Sequence, residues 1–263
     1  MRSLEDENLI FDAQFSSSAL SPTLWIPHYL PQWTKPAHSE ARYCVKNSYL
    51  QLQIHADQLA WLPSDSNMRV SNIQTALYSG IEGSPHGTHR HRRDLIVQTP
   101  QPTRKLYTPS APARVEARLR ASDDSTVMLA FWLVGVEDRG ASESGEICIV
   151  ELFGDQVRRN GERDGAEISL GVKAHHDPQL VEDMDKVTLQ GFDATEWHTY
   201  AAEWDKNEVR IYVDDRLLKT SQQSIGYELQ LMIDLFEFPD GEDRIITRYP
   251  KCGDVGFVRG WKL

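Results

Sequence analysis

Gly145-Glu146-Ile147-Cys148-Ile149-Val150-Glu151-Leu152-Phe153-Gly154 is the stretch whose reading decides the fold. Its β-branched and aromatic residues between two glycines read as a buried strand. Two carboxylates stand inside it. An isolated charge among Ile, Val, Leu and Phe costs on the order of several kcal/mol if unpaired, so packing alone does not account for the pair. Side chains alternate along a strand, and residues 146 and 148 therefore share a face. Glu151 lies an odd number of steps from Glu146 and would point the other way, into the core, in a regular strand. A bulge at Ile149-Val150 absorbs one residue and returns Glu151 to the face of Glu146. The alternative buries a lone glutamate, so the bulge is expected.

Two glutamates on one sheet face suit glycoside hydrolysis, in which retaining enzymes hold their carboxyl groups about 5–5.5 Å apart. A solvated polar face or a buried ion pair would explain the spacing equally well.

Working outward, short alternating segments recur along the chain. Leu50, Leu52 and Ile54 alternate with Gln51, Gln53 and His55; Val115, Ala117 and Leu119 with Arg114, Glu116, Arg118 and Arg120. The same holds for Val209, Ile211 and Val213, and for Leu229, Leu231, Ile233 and Leu235 against Gln230, Met232, Asp234 and Phe236. Turn residues punctuate them, as at Asp205-Lys206-Asn207. No long amphipathic helix emerges; Val181–Lys186 could form one helical turn. The region from Gly80 to Pro112 reads as loops plus one strand around Asp94–Gln98. Many short strands with regular turns imply an all-β sandwich or barrel, and no linker divides the chain, so residues 1–263 are expected to form a single domain.

The 263 residues carry 39 acidic and 28 basic side chains, a net charge of −11, which argues against nucleic acid or an anionic membrane as partner. No run of about 18 apolar residues is present, and the N-terminus lacks an apolar signal core. A cytoplasmic location is expected, or a secreted one if a leader has been removed. Cys44, Cys148 and Cys252 do not form a disulfide pattern.

The ordered set of segments resembles glycoside hydrolase family 16, of the concanavalin A-like lectin/glucanase fold. Gly145–Glu151 is similar to that family's bulged Glu-x-Asp-x-x-Glu pattern. Arg114-Val-Glu-Ala-Arg118, Phe131-Trp132-Leu133, Trp197-His-Thr-Tyr200 through Trp204, Val209–Asp214 and Gly256–Trp261 resemble its strands in order, with Phe11-Asp12 and Leu24-Trp25 at the opening. The resemblance implies a β-jelly roll of two antiparallel sheets with a sugar cleft on the concave face. It implies Glu146 as nucleophile and Glu151 as acid/base of a retaining glycosidase acting on β-linked glucose or galactose units. It further implies that Glu116 and Arg118 hydrogen-bond sugar hydroxyls, that Trp132 stacks on a pyranose, and that His175 is a cleft histidine. The partner would be a carbohydrate, and the protein a monomer without a cofactor.

Three departures stand out. Cys148 replaces the pattern's central aspartate. A thiol is a weak hydrogen-bond partner, and losing a negative neighbour lowers the acid's pKa, which puts ordinary endoglucanase turnover in question. Cys148 as a nucleophile lacks an evident base. Next, Phe236-Glu237-Phe238-Pro239-Asp240 stands where relatives have a glycine-rich turn, so Glu237 and the aromatics would narrow that end of the cleft. Finally, Gly256 stands where many relatives place a calcium-binding aspartate, and no calcium is expected. His86-Gly-Thr-His89-Arg-His91 could suggest a metal site, but Arg90, Arg92 and Arg93 would repel a cation, and it reads as a rim loop. Trp25, Trp33 and Trp61 read as core or rim aromatics. The rival readings are a carbohydrate-binding protein of the same fold with catalysis lost, and a transglycosylase or lyase on that scaffold.

Overall fold

The structure, a computed structural model, describes residues 8–62, 67–158, 164–238 and 248–263. The alternating segments form two large antiparallel sheets. One runs β11 (Asp183–Gln190), β10 (Gly165–Lys173), β9 (Glu146–Phe153), β8 (Val127–Gly135), β15 (Leu229–Glu237) and β4 (Arg69–Gln74). The other runs β14 (Arg216–Ser221), β13 (Val209–Val213), β12 (His198–Trp204), β7 (Ala113–Arg120), β16 (Lys251–Lys262), β3 (Tyr49–Ile54) and β2 (Arg42–Lys46), with β1 (Leu9–Gln14) also paired to β16. A short ribbon joins β5 (Ala76–Leu77) to β6 (Arg104–Lys105). This is the all-β jelly-roll sandwich expected. Among the described residues, no helix is long and apolar enough to cross a membrane.

The core lies between the sheets. Leu50, Leu52, Val115, Ala117 and Leu119 from one sheet meet Leu129, Phe131, Ile147, Leu231 and Ile233 from the other, each fully or almost fully buried. Burial of such side chains contributes about 1.5–3 kcal/mol apiece.

A second apolar cluster occupies the other face of the six-stranded sheet. Loops carrying Tyr29, Trp33, Trp61, Leu95 and Val97 fold over Ala130, Trp132, Met232 and Phe236. They cover the β8–β15–β4 half of that face, and the partly exposed Glu151 of β9 and Lys173 of β10 lie beyond that cover. Trp25, Trp33 and Trp61 are all core residues.

Two local expectations are corrected. Residues 94–98 form no strand: Leu95 and Val97 are buried under the loop layer, and the Val97 N–H donates to the Ser84 carbonyl in a loop-to-loop contact. The Val181–Lys186 segment is not helical, since Asp183 onward pairs along β10 as β11. There Asp183 and Asp185 hold Lys219 of β14 at 2.7 and 2.6 Å.

Candidate active site

The bulge is present. Val150 faces Phe131 and Cys148 faces Trp132 across β8, with Ile149 unpaired between them. Across β10, Glu151 faces Ser169 and Cys148 faces Gly171, so three steps on β9 oppose two. Ile147, Ile149, Val150 and Leu152 thereby all enter the core, while Glu146, Cys148 and Glu151 share the outer face. They line a cavity of about 140 Å³ with Tyr29, His89, Trp132, Lys173 and Phe236.

Lys173 holds the two glutamates together. It faces Glu146 in the β9–β10 register, and its Nζ lies 3.0 Å from Glu146 Oε1 and 3.0 Å from Glu151 Oε1. Those two oxygens are therefore no more than twice that distance apart. His175 Nε2 lies 2.7 Å from the other Glu146 oxygen, Oε2; a carboxylate only accepts, so the imidazole donates.

The electrostatics follow from burial and these partners. Burial works against the Glu146 carboxylate, but the His175 hydrogen bond and the Lys173 charge outweigh it and hold the carboxyl at about 2. Burial also opposes the Lys173 ammonium, yet its carboxylate neighbours keep it charged above the ordinary lysine range. Burial, reinforced by the Glu151 charge, pushes the Cys148 thiol well up. Cys148 is therefore a neutral thiol at neutral pH and no ready nucleophile.

A second carboxyl lies beneath. Asp234 on β15 is fully buried and accepts from Trp132 Nε1 at 2.6 Å and from Asn72 Nδ2 at 2.7 Å. Burial pushes its pKa up to about 8 despite those donors. Trp132, only 6% exposed, thus has its edge fixed and one side of its ring against His89.

The loop at 85–91 supplies His89. Gln32 Nε2 and Trp33 Nε1 both donate to the Thr88 carbonyl, and Thr88 Oγ1 donates to the Val136 carbonyl. The His89 N–H donates to Glu137 Oε1 at 2.6 Å. His89, Glu137 and His175 all hold left-handed backbone, with φ of 53°, 65° and 48°; such strain at non-glycine residues gathers at functional sites. Burial raises Glu137 to about 8 and drives the His89 imidazole well below its usual value.

Of the residues singled out from sequence, Glu146, Cys148, Glu151 and Trp132 line one cavity, and His175 borders it. Glu116 and Arg118 do not reach it. With Val115, Ala117 and Leu119 of β7 in the core, Glu116 and Arg118 project from the far side of the other sheet. There Glu116 Oε2 pairs with Arg114 at 3.2 Å and Arg118 lies over Trp197. Glu237 is also misplaced as a cleft residue. It is fully buried, on the opposite side of β15 from Asp234, with Arg69 Nη1 at 3.0 Å and the Tyr249 hydroxyl at 2.8 Å. Phe236 does line the cavity and stacks on Phe238; Pro239 and Asp240 lie outside the described residues. Sequence reasoning passed over Lys173, Asp234 and Asn72, and set His89 aside as part of a rim loop.

Residues 109–232 match the profile of glycosyl hydrolases family 16, a span that includes the bulged strand and Lys173. The match covers a little under half of the chain and supports the resemblance to glycosyl hydrolase family 16. The chain's fold is shared with solved structures of low sequence identity. A GlcNAcα1-4Gal-releasing endo-β-galactosidase from Clostridium perfringens superposes with a TM-score of 0.80 at 24% identity, over 97% of this chain and 62% of that one. The endo-β-1,3-glucanase of Pyrococcus furiosus gives 0.67 at 18% identity, over 98% and 96% of the two chains. The β-glucanase of Bacillus licheniformis gives 0.63 at 15%, over 98% and 100%. The chain thus spans less than two thirds of the galactosidase's length. No curated protein sequence matches it.

Proposed function

We propose that the protein is a retaining glycoside hydrolase acting on a β-linked galactoside or glucoside, with Glu146 as nucleophile and Glu151 as acid/base. The observation that carries this reading is the pair of carboxylates returned to one face by the Ile149 bulge and held 3.0 Å from a single ammonium. Glu146 is fixed in the ionised form a nucleophile needs, and a shared ammonium keeps the second carboxylate close to it, as a retaining pair requires. Glu151 is the more accessible of the two, its side chain 20% exposed against 5% for Glu146, as a group exchanging protons with a leaving oxygen and then with water must be. The structural likeness to an endo-β-galactosidase supports testing galactosides beside glucans.

A second reading is favoured by the same lysine. Lys173 bridges both glutamates, offsets one of their two charges and lines a cavity of only about 140 Å³; a sugar-binding protein with weak or absent turnover would keep such a pair as hydrogen-bond acceptors. One experiment separates the two. Purified protein is screened on β-1,3-, β-1,3/1,4- and β-1,4-linked glucans and galactans and on aryl β-glycosides, with Glu146→Gln and Glu151→Gln alongside. Product that disappears in both variants, released first with retained anomeric configuration, supports the hydrolase. Full activity in either variant sinks the assignment. Silence with measurable sugar binding selects the second reading.

A further inference from the structure

His89, Glu146 and His175 come from three separate parts of the chain and converge. One ligand atom from each, two imidazole nitrogens and a carboxylate oxygen, all lie within 4.8 Å of one another. His89 is only 9% exposed, and among the described residues neither of its ring nitrogens has a hydrogen-bond partner. Its ring packs against Trp132, His91 and His175, with centroids 5.0, 5.1 and 5.0 Å away. Ring packing explains the burial and leaves the ring nitrogens, on the wall of the cavity, without a protein hydrogen bond that would compete with a ligand. Left-handed backbone at both His89 and His175 and the Glu137 hydrogen bond to the His89 amide fix the main chain from which the two rings project.

We propose that His89, Glu146 and His175 form a binding site for a divalent transition-metal ion of the zinc type, overlapping the nucleophile. Two imidazoles and one carboxylate are a ligand set zinc accepts, with a fourth position left for water. Bonds of about 2.0–2.2 Å in a tetrahedron place ligand atoms about 3.4 Å apart, so pairs within 4.8 Å close by at most about 1.4 Å, while His175 Nε2 and Glu146 Oε2, 2.7 Å apart, open by about 0.7 Å to admit the ion. His175, with a side chain 22% exposed, is free to supply that movement. The ion takes the Glu146 oxygen on the His175 side, Oε2, and leaves Oε1 to Lys173. The ammonium repels the cation and keeps its affinity modest, in the micromolar range. Metal binding and glycosyl transfer make competing demands on Glu146, but binding is measured without substrate, so the two readings succeed or fail separately.

The test is calorimetric titration of the chelator-stripped protein with zinc chloride, with cobalt(II) as a spectroscopic substitute. One saturable site is expected, and cobalt should give the visible bands of a tetrahedral centre. His89→Ala and His175→Ala should each weaken binding at least tenfold, with folding checked by circular dichroism. Lys173→Met should tighten it about tenfold, a change that loss of structure would not produce. No saturable binding below millimolar zinc overturns the proposal. So does affinity unchanged in both folded histidine variants, because the ion would then sit elsewhere.

Discussion

Lys173 Nζ lies 3.0 Å from Glu151 Oε1 and, at the same distance, from Glu146 on the neighbouring strand. A cation therefore stands between two carboxylates at a bulge where Cys148 takes the place of a third acid. The charges sum to one negative, against three for two glutamates and an aspartate without a lysine. Removing the ammonium leaves two carboxylates facing each other, which favours keeping one proton between them. On the proposed mechanism, the alkaline limb of the pH–rate profile of Lys173→Met is expected to move up, while the limb assigned to Glu146 moves less because His175 still bonds it. A profile identical to that of the unmodified protein would show that Lys173 does not tune the pair.

Cys148 is 1% exposed with its thiol pushed well up, whereas Cys44 and Cys252 are partly exposed and all three are free. Thiol titration of the native protein with a disulfide reagent at neutral pH should therefore be slow at Cys148, with full reaction only on unfolding. In Cys148→Asp the new carboxylate finds Lys173 close by, so activity on simple β-glucans should hold or rise. A large drop in that variant would show that the thiol has a role of its own.

The periodicity of the chain made much of this legible. Alternation at Leu50–Ile54, Val115–Leu119 and Leu229–Leu235 placed core residues correctly, and parity alone located the bulge at Ile149-Val150. What alternation cannot say is which polar face looks onto a site. β7 has a polar face like that of β9, but β7 lies in the other sheet, so Glu116 and Arg118 point away. Glu237 was within reach of the same logic: three steps from Asp234, it had to face the core. Lys173 could be assigned to an outward position after Val172, but its meeting with Glu146 depends on strand register, which only the pairing of β9 with β10 reveals. His89 sits in a loop whose position is set by Thr88, Gln32 and Trp33, contacts with no local sequence signal.

Asp234 gives a stability prediction with a definite sign. Its folded pKa of about 8 stands above the ordinary value of 3.8, so between those limits the native state holds more protons than the unfolded one. Its contribution is then largest at low pH and is lost as pH rises toward 8, by up to about 1.4 kcal/mol per unit. Asp234→Asn removes the titrating group and can be accommodated. Asn72 Oδ1 is buried without a partner, so a flip of the Asn72 amide offers an acceptor to the introduced NH2, while the introduced amide oxygen still accepts from Trp132. Thermal melts from pH 5 to 9 should show a flatter dependence for the variant and higher relative stability at the alkaline end. Parallel curves for the two proteins would mean that Asp234 does not titrate in that window.

Gly171 faces Cys148 across the bulge and adopts φ of +148°. A Cβ there would lie 2.2 Å from the Asp183 carbonyl oxygen of β11, a backbone atom that cannot step aside cheaply. Gly171→Ala therefore combines unfavourable φ with a clash and should cost about 2 kcal/mol or more, read from urea unfolding. The strand would relieve the clash by shifting β10 where it carries Lys173, two residues on. Activity per folded molecule should therefore fall as well, which a purely global loss of stability would not cause. Wild-type activity in the folded fraction of Gly171→Ala would show that the position of Lys173 does not depend on this glycine.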